Sequence, residues 1–402
     1  GFMGGAAINM SLKSGTNGLH GQAYYFMQNP ALNANSFLNN RIGARKRDFR
    51  LHRWGGSASG PIYLPKLYDG RNKTFWMYGY EGIWSFDPTP FTIEAVPLPA
   101  QRTGDFSALL AIGSRYQIYD PYTITPAAGG RFGRQPLPGN VIPPSRVNPV
   151  AAKMLPLWDL PNQAGTVDGV NNSYRARNSQ DSYFNHIVRI DHNISERQRF
   201  YVRTNFTTME RPEEIRHNLA RGDNFFRYNR GFSFDDVWTL SPRIFINTRY
   251  TLTRFITGYT PYQMGWDLAG LGFSSTFIDQ IKGVDPRGLR LPRIDVDGYS
   301  SLSVQTLQKR ATNIHELAAN ITSIVRSHTL RYGIVYRNYQ ANNFNLDNSS
   351  GLLSFGSAWT RGPLDTSPAA PMGQGMASFL YGLPTGGNFP IVDSYAEQAP
   401  AQ

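Results

Sequence analysis

Alternation with a period of two residues constrains this chain more than any other feature of it. In residues 183–191, Phe184, His186, Val188 and Ile190 fall on one face, and Asn185, Ile187, Arg189 and Asp191 on the other. Successive side chains of a β-strand point to opposite sides, so such a run makes a strand with one apolar and one polar face. The turn-like stretch 192–197 leads into a second run, with Phe200, Val202, Thr204 and Phe206 against Arg199, Tyr201, Arg203 and Asn205. The pair reads as a hairpin. Phe232, Phe234, Trp238 and Leu240 begin another such unit, turned at Ser241-Pro242-Arg243 into Ile244, Ile246, Thr248, Tyr250 and Leu252. A third joins His315, Leu317, Ala319, Ile321 and Val325 to Leu330, Tyr332, Ile334 and Tyr336 through 326–328.

The connections fall into two kinds. Strands are expected over 19–27, 48–60, 73–84, 182–191, 198–208, 229–240, 244–257, 311–325, 329–342 and about 389–402. At one end they are joined by a few residues, and at the other by the long segments 28–47, 85–181, 209–228, 258–310 and 343–388. Segment 85–181 holds 13 of the 27 prolines. Loops longer than about 15 residues are uncommon in compact domains. A strict alternation of short turns and long loops between strands of about 10 residues is the pattern of an outer-membrane β-barrel. The expected fold is therefore all-β, an antiparallel transmembrane barrel segment of about ten strands, incomplete, with long extracellular loops. Closure would satisfy every backbone N–H and C=O in lipid, whereas part of a barrel leaves two open sheet edges. Two short helices are expected in the long segments, one from Pro149 capped by Asn148, and one over 374–381 ended by Gly382 and Pro384.

Composition narrows the function classes. Charged residues make up 17%, aromatics 13%, and Gly (39) and Pro (27) are abundant, which disfavours a helical protein. The sequence has no cysteine, which excludes disulfides, cysteine–zinc sites and thiol catalysis. No run of 18 apolar residues offers a membrane helix. The net charge of +12 is spread along the chain, apart from Arg41, Arg45, Lys46, Arg47, Arg50 and Arg53. That spread argues against a nucleic-acid partner, which needs one contiguous positive face. The cluster reads either as a solvated loop or as a contact for lipopolysaccharide phosphates. The chain starts at Gly1 and ends at Gln402 without a leader or terminating element, and is read as a piece of a longer one.

The first residues, Gly4-Gly5-Ala6-Ala7-Ile8-Asn9-Met10-Ser11-Leu12-Lys13-Ser14-Gly15-Thr16-Asn17, resemble the last plug strand of a TonB-dependent receptor and its turn into the barrel. Further runs resemble the Oar-like branch of these receptors, which often carries an N-terminal carboxypeptidase-regulatory-like domain. They are Trp54-Gly55-Gly56-Ser57-Ala58-Ser59-Gly60-Pro61-Ile62, Asn72-Lys73-Thr74-Phe75-Trp76-Met77-Tyr78-Gly79-Tyr80-Glu81-Gly82, Arg102-Thr103-Gly104-Asp105-Phe106-Ser107 and Ile118-Tyr119-Asp120-Pro121. Pro138-Gly139-Asn140-Val141-Ile142-Pro143 and Asp181-Ser182-Tyr183-Phe184-Asn185 continue the series, and Ala377-Ser378-Phe379-Leu380-Tyr381-Gly382 matches near the end. The resemblance implies that 1–18 close a plug and that 19–402 form the N-terminal part of the barrel. It further implies ligand capture by extracellular loops, then energised uptake driven by TonB–ExbB–ExbD through parts outside this chain. The same barrel serving adhesion or secretion without transport is the alternative.

Candidate residues follow from the faces. Arg189, Tyr201, Arg203, Arg249, Arg331 and Arg337 are expected to face the lumen, either as an anion-attracting wall or paired with carboxylates of plug or barrel. Trp76, Tyr78, Tyr80, Phe200, Trp238, Tyr332 and Tyr336 are expected to face lipid or to form an interfacial girdle. Asp295-Val296-Asp297-Gly298 resembles half a calcium loop without its bidentate Glu. Glu213-Glu214 and Asp235-Asp236 would split between faces rather than pair for acid–base work. The chain is therefore expected to be no enzyme and to need no cofactor or metal. A secreted glycoside-cleaving all-β protein would instead need two carboxylates at about 5 to 9 Å.

Overall fold

The computed structural model describes residues 12–214, 218–284, 289–303, 307–389 and 395–399. One antiparallel sheet dominates it. Its nine longer strands are β1 (His20–Gln28), β2 (Arg50–Pro61), β3 (Thr74–Glu94), β4 (Ser173–Ser195), β5 (Gln198–Glu214), β6 (Asp223–Ser241), β7 (Ile244–Pro261), β8 (Gln308–Val325) and β9 (His328–Asn345). A short tenth strand, β10 (Tyr395–Ala399), pairs with β9. Strands adjacent in this order are hydrogen-bonded throughout, and the sheet is open, because β1 and β10 do not pair. Among the described residues no helix is long and apolar enough to cross a membrane.

The short turns bear out the hairpin reading. β8 and β9 meet with Val325 opposite His328, leaving Arg326 at φ 56° to close the turn. β6 and β7 meet at a bulge between Thr239 and Ser241, where the Ser241 hydroxyl accepts from the Arg243 amide. The 62–73 connection is longer and carries its own two-residue-per-strand ribbon, Tyr63–Leu64 against Tyr68–Asp69.

The strands outrun their apolar stretches. β3 continues to Glu94, β4 begins at Ser173, β5 reaches Glu214 and β6 starts at Asp223, so strand takes over both ends of segment 85–181 and much of segment 209–228. Apolar residues in those extensions, such as Ile93, Phe225 and Phe226, stand among polar ones or next to each other, so no regular alternation marks them.

The buried core lies outside the sheet. Trp158, Tyr116, Phe106, Phe379, Ile118 and Ile142 are its largest apolar side chains, and all come from the long connections. Among the described residues, the only buried hydrophobic side chains in the large sheet are Ala311 and Ala318. Segments 85–181, 209–228, 258–310 and 343–388 therefore fold together into one cap at one end of the sheet, to which 28–47 adds no buried residue. Asn172 closes the base of the largest excursion. Its Oδ1 accepts from the Val96 amide and its Nδ2 donates to the Val96 carbonyl, both at 2.8 Å. Trp158 donates from Nε1 to the Ser300 carbonyl at 2.7 Å and meets Phe379 edge-on at 5.4 Å between ring centres. Both expected helices sit here. Pro149–Met154 is capped by the Asn148 side chain, and Gln374–Tyr381 ends at Gly382 with φ 70°, a left-handed value that favours glycine. Arg102, from one of the family-like runs, donates to the carbonyls of Pro97, Leu155 and Trp158 at 3.1 Å each. Asn140, from another, is fully buried and bonds to the Ile118 amide and the Tyr116 carbonyl.

Candidate functional site: a two-faced sheet under a folded cap

Partners in an antiparallel ladder share a face, so the register assigns each side chain to one side. Arg189 pairs with Arg203, Arg203 with Ser233, Ser233 with Thr251, Thr251 with Glu316 and Glu316 with Arg337. Tyr201, Arg249 and Arg331 fall on the same side, Tyr201 and Arg249 both opposite Asp235 and Arg331 opposite Thr322. The other face begins with the row Trp76, Ile190, Val202, Phe234, Tyr250, Leu317 and Tyr336. Tyr78, Tyr80, Phe200, Trp238 and Tyr332 share that face. The structure thus gathers the six expected polar-face residues on one side and the seven aromatic ones on the other.

The arginine face is mostly internally neutralised. Arg189 pairs with Asp191 at 2.7 Å and lies 4.0 Å from the centre of the Tyr201 ring. Arg249 pairs with Asp235 at 2.6 Å and Arg337 with Glu316 at 2.5 Å. Arg203 donates to the Ser233 hydroxyl at 3.0 Å. Arg331 makes no ion pair among the described residues. Three of the five arginines are thus ion-paired, and the face is not a bare positive surface. Nearer the cap, Arg53 holds Glu81, which also accepts from Tyr24, and Arg211 holds Asp181. Half of the basic cluster at 41–53 is similarly paired. Arg47 pairs with Asp87, Arg50 with Asp48 and Arg53 with Glu81, while Lys46 donates to the Asn33 carbonyl.

The N-terminal segment lies on this same face. The Leu12 carbonyl accepts from Arg189 at 3.3 Å. Gly15 is buried so closely that a Cβ there would meet Phe75 Cβ and the Trp76 carbonyl at 2.8 Å. A side chain at Gly15 would lift the segment off the wall.

On the aromatic face nothing covers the side chains. Tyr336 is 59% exposed, Ile334 70% and Trp238 42%. The apolar stretch runs from Trp76 to Phe86 in β3 but from Leu330 to Tyr336 in β9. Register aligns Trp76 with Tyr336, so the midpoint slips by about 8 residues over about six strand steps. At roughly 3.3 Å per residue and 4.8 Å per strand, that drift corresponds to strands tilted about 40° from the normal of a level apolar band. Trp76, Phe200, Trp238 and Tyr332 lie toward the short-turn edge of the band. Tyr78 and Tyr80 lie within it, and the Tyr78 hydroxyl meets His186 Nδ1 at 2.8 Å.

Asp235 and Asp236 split between the faces as expected. Asp235 takes Arg249 and Asn247, while Asp236 accepts from Gln198. The side chains of Glu213 and Glu214 lie outside the described residues. Asp295 lies in the strand Arg293–Val296 and is paired with Arg293, and among the described residues no group of three or more His, Asp or Glu gathers as a metal site.

The cap carries the groups whose acidity the fold changes most. Arg146 holds Asp120 with bonds of 2.6 and 2.8 Å and lies over the rings of Tyr122 and Tyr381. That guanidinium keeps the Asp120 carboxyl below the usual carboxylate range. Burial pushes the Tyr381 hydroxyl up to about 12. A lowered carboxyl stabilises the fold above its unfolded value near 4, and that contribution is lost as pH falls through the folded value. A raised phenol stabilises below its unfolded value near 10, and that contribution is lost as pH climbs toward 12. The joint contribution of Asp120 and Tyr381 to cap stability should therefore be flat from about pH 4 to 10 and fall on both sides. Tryptophan fluorescence across pH, with Asp120→Asn flattening the acid limb alone, checks this.

An open antiparallel sheet with one uncovered, tilted apolar band and one ion-paired face, capped at the long-loop end, defines a membrane-spanning β-barrel wall. The family described as the outer membrane beta barrel domain matches residues 11–401, and the chain belongs to it. That places it in an outer membrane. No curated protein and no solved structure matches the chain.

Proposed function

We propose that this chain is the barrel wall and extracellular cap of a TonB-dependent receptor of the Oar-like kind. The aromatic face meets lipid, the arginine face lines the lumen, and the cap captures a ligand that TonB–ExbB–ExbD then draws inward. The single observation that carries the reading is the N-terminal segment on the arginine face. Leu12–Gly15 enters β1 from that side, as the end of a lumenal plug must, and Gly15 fits it tightly against β2 and β3. The ion-paired wall supports the same reading, because a lumen of paired charges stays wet without gripping an anion permanently.

Photo-crosslinking between the full-length protein and TonB in native cells tests the proposal. A crosslink that intensifies when the ligand-bearing medium is supplied is expected. Absence of any crosslink, with the protein present in the outer membrane, would overturn uptake. The compact cap favours adhesion as the second reading in that case, since a preformed surface module binds without moving a plug.

A further inference from the structure

The geometry points to a binding site for the phosphate of an outer-leaflet lipid on the aromatic face, built by Arg230 of β6 and Arg254 of β7. The inference rests on the aromatic face meeting lipid. Arg230 and Arg254 are direct cross-strand partners. Like charges placed directly opposite destabilise a sheet unless something neutralises them. No carboxylate does so: neither arginine has an ion pair among the described residues. Arg230 donates from Nη1 to the carbonyls of Thr207 (2.8 Å) and Asn229 (3.3 Å), and lies over the rings of Phe206 and Tyr228. Arg254 donates to Asn313 Oδ1 at 3.1 Å. The nearest acidic side chain on this face toward the cap, Glu210, is already engaged by the Tyr228 hydroxyl at 3.0 Å.

Placement selects the ligand. The pair sits one same-face row beyond Phe232 and Leu252, with Tyr228 and Ile256 in the next row toward the cap and Phe206 opposite Arg230. Arginines set among aromatic rings in this way suit the interfacial depth at which outer-leaflet headgroups lie. The guanidinium groups are turned outward to lipid rather than inward to the lumen. The two heads rest on opposite neighbours, Arg230 against β5 and Arg254 on Asn313 of β8, and a phosphate monoester, whose oxygens can accept from both, would draw them together between β6 and β7. Lys309 shares the face two rows further toward the cap and adds a third cation on the same side. The basic loop at 41–53, the more obvious place for lipid phosphates, has half of its six cations in ion pairs.

The test uses the full-length protein purified in a non-ionic detergent and lipopolysaccharide as the probe, with a phosphatase-treated sample of the same glycolipid alongside. Retention of intact lipopolysaccharide is expected to fall about tenfold in the Arg230→Gln/Arg254→Gln variant, the loss of one or two charge-assisted contacts. Dephosphorylated glycolipid should bind wild type and variant equally weakly, and Arg243→Gln, at the short-turn end, should bind like wild type. Equal retention of intact lipopolysaccharide by wild type and double variant overturns the site. Displacement by micromolar inorganic phosphate would overturn the lipid assignment in favour of a soluble anion. If the double variant does not fold, Arg254→Gln alone, at the more exposed of the two positions, carries the same comparison. A wild-type protein that leaves the membrane without detergent would sink the lipid-facing reading itself.

Discussion

Arginine in place of Phe234 is expected to destabilise the membrane-inserted protein by about 2–4 kcal/mol, the cost of a cation near the bilayer midplane on a barrel's lipid face. Phe234 lies in the central row of the aromatic face between Val202 and Tyr250, and 37% of it is exposed. Arginine at Thr251 should cost far less. Thr251 lies one ladder position away but on the opposite face, between Ser233 and Glu316, where a new guanidinium finds a carboxylate. Guanidinium unfolding of the two variants in phospholipid bilayers, with the full chain, separates the faces. Equal losses at both positions would mean that the sheet is wet, or dry, on both sides.

Alanine in place of Trp158 is expected to remove the cap while leaving the sheet. Trp158 is 2% exposed, holds the Ser300 carbonyl and packs on Phe379, so it joins three connections that are distant in sequence. Truncating a fully buried large aromatic costs about 3–5 kcal/mol, and the orphaned carbonyl adds to it. Limited proteolysis should then cut within residues 95–172 while the strands stay protected. A cap that remains resistant would show that the connections are held separately and share no core.

What the sequence discloses, and what it hides, follows from which residues feel two different environments. The faces were legible because Ile190 and Arg189 must meet different surroundings, and neighbours along a strand record that difference. The phase of each strand then placed Arg203, Arg249 and Arg337 together without knowledge of the register. Strand ends were not legible. From Asp87 to Glu94 and from Ser173 to Asp181 prolines and polar residues interrupt the apolar face, so no regular alternation distinguishes strand from loop. The cap helices announced themselves through local chemistry, Asn148 before Pro149 and Gly382 after Tyr381. The cap as a unit did not, because Phe106, Trp158, Leu302 and Phe379 share no period and meet only in three dimensions. Nor did alternation warn that Arg230 and Arg254 would stand side by side, since that depends on register alone.

The overrun of β3 and β4 has a consequence for reach. β4 holds 23 residues, of which the stretch from Phe184 to Ile190 is enough to carry the apolar band. The roughly ten residues that precede it continue toward the cap, and at about 3.3 Å per residue and a tilt of about 40° they climb some 25 Å. With the cap facing outward, as proposed, the strands form a stalk that holds it at the height of the sugar layer rather than on the lipid headgroups. Whatever such a protein meets first, it would meet out in the surface coat, before any smaller molecule threading between the sugars has arrived at the bilayer.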